Sequence, residues 1–173
     1  TDLYLAEAAT GKIVRKLTST ATDPHTSSIQ FIYSAGAWDS ASKQIAVGTV
    51  VSGRAALAIF DAQKGSRTRE IPVPDVDEVL NPTWSPDGKA IAFSAMQRGL
   101  TDLFIYDLAN ERLRRLTNDP YAELHPAWSP DGKRIAFATD RLTSDLATLS
   151  FGPYRLAVID AENGAIVHET PMP

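Results

Sequence analysis

Apolar residues in this chain come in short runs, each followed by a polar corner. "QIAVGT" at 44–49, "AIAFSA" at 90–95 and "RIAFAT" at 134–139 form one set. A second set follows each of them: "ALAIFD" at 56–61, "DLFIYDL" at 102–108 and "YRLAVID" at 154–160. A more polar run then closes each unit, "TREIPV", "RLRRLT" and "AIVHET". Runs of this length, rich in Ile, Val, Phe and Tyr and bounded by turn residues, predict strands. The middle two of each unit are apolar at consecutive positions ("IAF", "LFIY"), the pattern of a strand covered on both faces. No stretch holds a 3.6-residue period for a useful length, so the chain is expected to be all-β, with no helix beyond about two turns. The segment "RLTSDLATLS" at 141–150 is the place most open to an exception.

The units recur at a fixed spacing. Trp38, Trp84 and Trp128 lie 46 and 44 residues apart. A period of roughly 40–45 residues is that of a four-stranded propeller blade. The opening "DLYLAEAATGKIVRKLT" matches only the third and fourth runs. The expected organisation is a half blade at 1–18 and blades at 31–74, 79–118 and 123–170, about fourteen strands or three and a half blades. "WSPDGK" occurs twice, at Trp84–Lys89 and Trp128–Lys133. Pro86 and Pro130 preset φ, Asp87 and Asp131 can bond back to the turn, and Gly88 and Gly132 accept positive φ. This joins the first strand to the second as a hairpin, and the Trp before it fills the gap between neighbouring blades. The two Asp are read as turn residues rather than as paired catalytic carboxylates. "WDSASK" at 38–43 lacks Pro and Gly and predicts a looser corner. Gly11, Gly65 and Gly164 mark the third-to-fourth turn. The remaining unit has Asn110 before Glu111, which predicts a turn shifted by one residue.

The segments "HPAWSPDGKRIAFATD" and "TDLFIYDLANERLRRLTNDP" resemble the TolB-type propeller repeat, a WD-repeat-like family common in bacterial envelope proteins. The resemblance covers almost the whole chain, most closely 79–140, less so 1–18 and 141–170, least 35–72. It implies part of a six- or seven-bladed propeller, located in the periplasm or outside the cell. It also implies a non-catalytic module that binds a protein or peptide. The alternative it leaves open is a gating or substrate-recruiting propeller of a larger hydrolase whose catalytic domain lies outside these residues. Fold does not choose between the two. The chain opens on "TDLYLAEA", with neither Met nor a basic start, and reads as a piece of a longer protein. An open half-ring would leave raw edges near Leu3–Leu5 and Pro126–Ser129, through which an isolated fragment is expected to self-associate.

Composition narrows the function classes. With 173 residues, 43% hydrophobic, the chain can bury a sizeable core. Its net charge of -4 and pI of about 5.3 argue against a nucleic-acid surface. The absence of Cys removes disulfides, thiolate chemistry and Cys-based zinc sites. No apolar run approaches the ~18 residues of a membrane helix, so membrane insertion is not expected. There is no HExxH, no GxSxG elbow and no phosphate-binding GxxxxGK[ST] loop. No catalytic residue, metal or cofactor is expected.

Loop lengths point to one face. Thr18 to Trp38 spans 20 residues where Thr117 to Trp128 spans 11, and Thr139 to Pro153 spans 14 where Ala95 to Asp102 spans 7. In an up-and-down blade, alternate connections share a side, so the extra lengths at 19–36 and 140–152 emerge together, opposite the "SPDG" turns. Loops of this kind carry binding on a rigid scaffold. Glu78 and Asn81, and in the next unit Glu123 and His125, precede first strands and are expected to point to the channel mouth. A His beside an acid can serve as an acid–base pair or a metal site, or simply line the mouth and bond the neighbouring backbone. His25, in "TDPHTSS", and Arg141, at the root of the second insert, complete the candidate binding residues. His168 is read as solvated. Arg112, Arg114 and Arg115 are read as protection of an outer edge rather than a phosphate site.

Overall fold

A computed structural model describes residues 2–30, 34 and 36–170. Its described residues contain fifteen strands and no helix. Strands β1 (Tyr4–Ala6) and β2 (Ile13–Lys16) form the first sheet. The second holds β3 (Thr26–Ile29), β4 (Ala37–Trp38), β5 (Gln44–Val51), β6 (Arg54–Asp61) and β7 (Ser66–Pro72). The third runs β8 (Glu78–Trp84), β9 (Ala90–Gln97), β10 (Leu100–Asp107), β11 (Arg112–Arg115). The fourth runs β12 (Glu123–Trp128), β13 (Arg134–Thr139), β14 (Arg155–Asp160), β15 (Ile166–Thr170). All neighbours are antiparallel and follow chain order, the meander expected of propeller blades. The expected fourteen strands become fifteen because the inner strand of the second sheet is interrupted: β3 and β4 both pair with β5.

That interruption corrects the reading of 19–36 as one long loop. Thr26–Ile29 is already strand, ahead of the boundary expected at 31, and pairing resumes at Ala37. Residues 31–33 and 35 of the segment lie outside the described ones. The gap falls where the other inner strands bulge, between Leu80 and Thr83 and between Leu124 and Ala127. At both bulges a non-glycine residue with positive φ, Asn81 (49°) or His125 (54°), precedes a proline. A proline cannot donate to a ladder, so a bulge is where an inner strand can hold one.

The sheets stack face to face with three cores between them. Leu17, Ile29, Val47 and Phe60 lie in the core joining the first and second sheets, with Leu3 packed against it. Leu57, Ile59, Val79, Trp84 and Phe93 lie in the next, where the Phe93 and Phe104 rings stack 5.8 Å apart. Leu103, Ile105, Ile135, Phe137 and Ile159 lie in the last. This explains the two-sided apolar runs: alternate residues of β9 and β10 serve different neighbours.

Two polar devices recur at the joints, the arginine bond at all three and the tryptophan bond at the last two. The Trp84 indole N–H donates to the Ala37 carbonyl at 3.0 Å and that of Trp128 to the Thr83 carbonyl at 3.2 Å, each reaching back one sheet. An outer-strand arginine reaches forward: Arg15 to the Lys64 carbonyl (3.5 Å), Arg69 to Leu108 (2.8 Å), and Arg114 to Ala161 and Glu162 (2.5 and 2.8 Å). Arg114 is therefore a clamp between sheets, not edge protection. Trp38, with no complete sheet before it, is 44% exposed.

The corners form as read. Asp87 accepts from Ser85 Oγ and the Lys89 N–H, and Asp131 from Ser129 Oγ and the Lys133 N–H. The serine hydroxyl bonds, then those backbone bonds, hold both carboxyls below the usual aspartate range. Two turns depart from expectation. In "WDSASK", Ser42 takes the left-handed position (φ 55°) and Asp39 accepts from Lys43 and Gln44, so the corner is kept. In the third sheet Glu111, not Asn110, takes positive φ (53°), so that turn does not shift.

Candidate binding face

The connections carrying the long segments leave from the ends of β2 and β13, opposite the "SPDG" corners. The insert after β13 has turns but no helix. Asp140 roots it: its carbonyl accepts from the Thr143 and Ser144 N–H groups, and its Oδ2 from Ser144 Oγ at 2.7 Å. Thr143 Oγ1 donates to the Pro153 carbonyl at 2.6 Å, and Gly152 N–H to Ser144 Oγ at 3.0 Å. Asp145 and Ser150 exchange backbone bonds in both directions. The loop so fastened leaves Leu149 71% and Phe151 75% exposed, and Leu149 holds a φ of 54°.

The residues expected at the channel mouth each have their own local partners or exposure. Glu78 accepts from Gln30 Nε2 at 3.2 Å, and the Asn81 N–H donates to Ser34 Oγ at 2.9 Å, so both touch the 19–36 segment. His125 is exposed. His25 lies 3.0 Å from Glu70, which also pairs with Arg67 at 2.8 Å. Among the described residues, no group of three or more His, Asp or Glu could hold a metal ion.

Glu123 differs from the others: it is turned inward, not to the mouth. It pairs with Thr139 as Val79 pairs with Ala95, which makes it the counterpart of Val79 rather than of Glu78. A one-residue offset turns a strand's side chains to the other face. Glu123 is fully buried. Its Oε2 lies 2.8 Å from Thr117 Oγ1 and its Oε1 3.3 Å from Arg141 Nη2. Arg141 is bonded more tightly to Asp119, stands over the Tyr121 ring and has Glu169 3.9 Å away. Asp102, also buried, pairs with Arg115 and faces Thr117 Oγ1 at 3.4 Å. Burial, followed by repulsion from Asp119 and Asp102, outweighs the Thr117 hydrogen bond and Arg141 and pushes the Glu123 carboxyl up to about 8. A neutral carboxylic acid can act as an acid catalyst, but this one has no exposed surface from which to meet a substrate.

Asp102, Thr117 and Asp119 were missed in the sequence, Arg115 was read as edge protection although it pairs with buried Asp102, and Glu123 was read as lining the mouth, although a signal for its place exists: Val79 and Glu123 each stand five residues before a Trp. Part of the set recurs. Asp2, Lys16 and Thr18 repeat the Asp–cation–Thr arrangement, with Leu3 N–H donating to Thr18 as Leu103 N–H donates to Thr117. The Lys16 hydrogen bond holds the Asp2 carboxyl down at about 2. This explains the "TDL" and "LT" ends of the repeat as one tie between third and fourth strands.

Comparison with known proteins agrees with this architecture. The TolB of Acinetobacter baumannii superposes with a TM-score of 0.68 at 25% identity, over 95% of this chain and 36% of that one. A TolB candidate of Agrobacterium tumefaciens gives 0.70 at 18%, over 97% of this chain and 55% of that one. The tricorn protease gives 0.61 at 19%, over 92% of this chain and 15% of that one. The chain thus spans about a third to a half of the two TolB structures. No curated protein sequence matches it. The model of the TolB beta propeller domain matches residues 25–145, well over half of the chain. With its meander sheets, stacked cores and repeated corners, the chain belongs to the TolB beta propeller domain family.

Proposed function

We propose that this chain is a non-catalytic binding module of a bacterial envelope or secreted protein, and that it holds a protein or peptide partner on the face carrying the 140–152 insert. The observation that carries the reading is the insert's construction. Hydrogen bonds to Asp140, Ser144 and Pro153 fix a loop that displays Leu149 and Phe151 to solvent. Left-handed backbone at a residue other than glycine costs about 1 kcal/mol or more, and is kept where its surroundings hold it. Leu149 bears that cost while exposed. Rigid loops displaying apolar anchors lose little entropy on binding. Glu78, Asn81, His125 and His25 are the polar rim of the same proposed face.

The test is selection of peptides from a random displayed library on the intact chain, followed by amide chemical-shift mapping. The reading expects shifts at 140–152 and its neighbours on that face. Shifts confined to 85–89 and 129–133 would overturn it.

A further inference from the structure

We propose that the joint between the third and fourth sheets is a proton-binding switch with Glu123 as its acceptor: firm while Glu123 carries a proton, loosened when it gives the proton up. The argument begins with position. Ile29 and Val79 fill this place in the two earlier sheets, in both cases within an apolar core. A carboxyl group there lies fully buried between sheets.

Charge balance is the second part. The groups that meet Glu123 or its immediate partners come from every element around it. Thr101 and Asp102 lie on β10, Arg115 on β11, and Thr117, Asp119 and Tyr121 on the following connection. Arg141 comes from the insert and Glu169 from β15. Arg115 already serves Asp102, and Arg141 already serves Asp119. An ionised Glu123 would be a third carboxylate sharing two committed guanidinium groups, with Glu169 as a fourth at the edge.

Hydrogen-bond accounting agrees. Thr117 Oγ1 accepts from the Leu103 N–H and has one proton to donate. Asp102 Oδ1 and Glu123 Oε2 both lie within its reach, at 3.4 and 2.8 Å. If Glu123 is ionised, the two carboxylates compete for that proton. If Glu123 is protonated, it donates to Thr117, and Thr117 is free to donate to Asp102. One proton therefore completes the set.

The sign follows from the folded state holding the proton more tightly than the unfolded chain. Stability from this group is fully present below about 4.5 and is lost as pH rises through about 8. Two measurements test it. Carbon-13 titration of the glutamate-labelled chain should show one carboxyl with a midpoint near 8, absent in Glu123→Gln. Urea unfolding of both proteins should give a ratio of unfolding constants, wild type over variant, that climbs by up to about tenfold per pH unit between about 5 and 8 and then levels. A spectrum in which every glutamate titrates below 6, or a ratio independent of pH, would overturn the proposal. If the variant does not fold, the wild-type carbon titration decides alone.

Discussion

Glu123 and Val79 occupy the same place in successive sheets. Glu123 stands opposite Thr139 and Val79 opposite Ala95, both in the joint with a neighbouring sheet. One is the buried hub of a polar set and the other lies in an apolar core. The fold accepts either because the Trp and Arg bonds also tie neighbouring sheets at these joints.

Among the glycines, the neighbouring backbone comes closest at Gly48. Its carbonyl accepts from the Gln30 N–H, and a Cβ placed there would collide with the Val79 carbonyl of the next sheet. Gly48→Ala is expected to cost about 2–3 kcal/mol in urea unfolding, since overpacking here must move backbone. Gly53→Ala is the control: its Cβ would meet nothing, though its φ of 76° carries its own smaller strain.

The arginine clamps should be separable from their neighbours. Arg114→Ala removes two bonds to the fourth sheet and is expected to destabilise by about 1–3 kcal/mol. Arg112→Ala, at an exposed position two residues earlier, should stay within about 0.5 kcal/mol. Equal losses in thermal or urea unfolding would refute the clamp.

One substitution should improve the protein. The Ser94 hydroxyl is buried and has no hydrogen-bond partner among the described residues. Its counterparts are Gly48 and Ala138, which pair with Leu57 and Leu156 as Ser94 pairs with Leu103. Ser94→Ala removes an unsatisfied group without opening a large cavity, and is expected to raise stability by up to about 1 kcal/mol.

The open side of the fourth sheet bears on self-association. Leu156 repeats the position of Leu57 and Leu103, which neighbouring sheets bury, yet it is 47% exposed. Pro126–Ser129 is an inner edge like that of β8, so the apolar face, not that edge, is the more adhesive surface. Leu156→Lys should lower any concentration-dependent growth in light scattering, while leaving far-UV dichroism unchanged.

Most of the fold was legible because its signals are local. A corner such as Ser85–Lys89 closes on itself through Asp87 and Gly88, so five consecutive residues carry its signal. Two-sided strands announce themselves by uninterrupted apolar runs. The Asp102–Thr117–Glu123 set was harder because its members lie on three elements and meet only when two sheets stack. Arg141 was picked out for its loop, and its tie to Asp119 and Glu123 depends on the β12–β13 register, which the bulge at His125 shifts. Arg114 was misread because its partners, the carbonyls of Ala161 and Glu162, are backbone and carry no side-chain signature.

Binding through the 140–152 insert is open to one direct affinity measurement. A library-selected peptide is titrated against the chain and against a form whose insert is cut to the length of the connection between Ala95 and Asp102, both checked for the same urea midpoint. Binding through this face predicts at least a tenfold weaker Kd for the shortened form. An unchanged Kd, with loss instead when Lys89 and Lys133 of the opposite corners are replaced by Ala, would place the site on the other face and contradict the account.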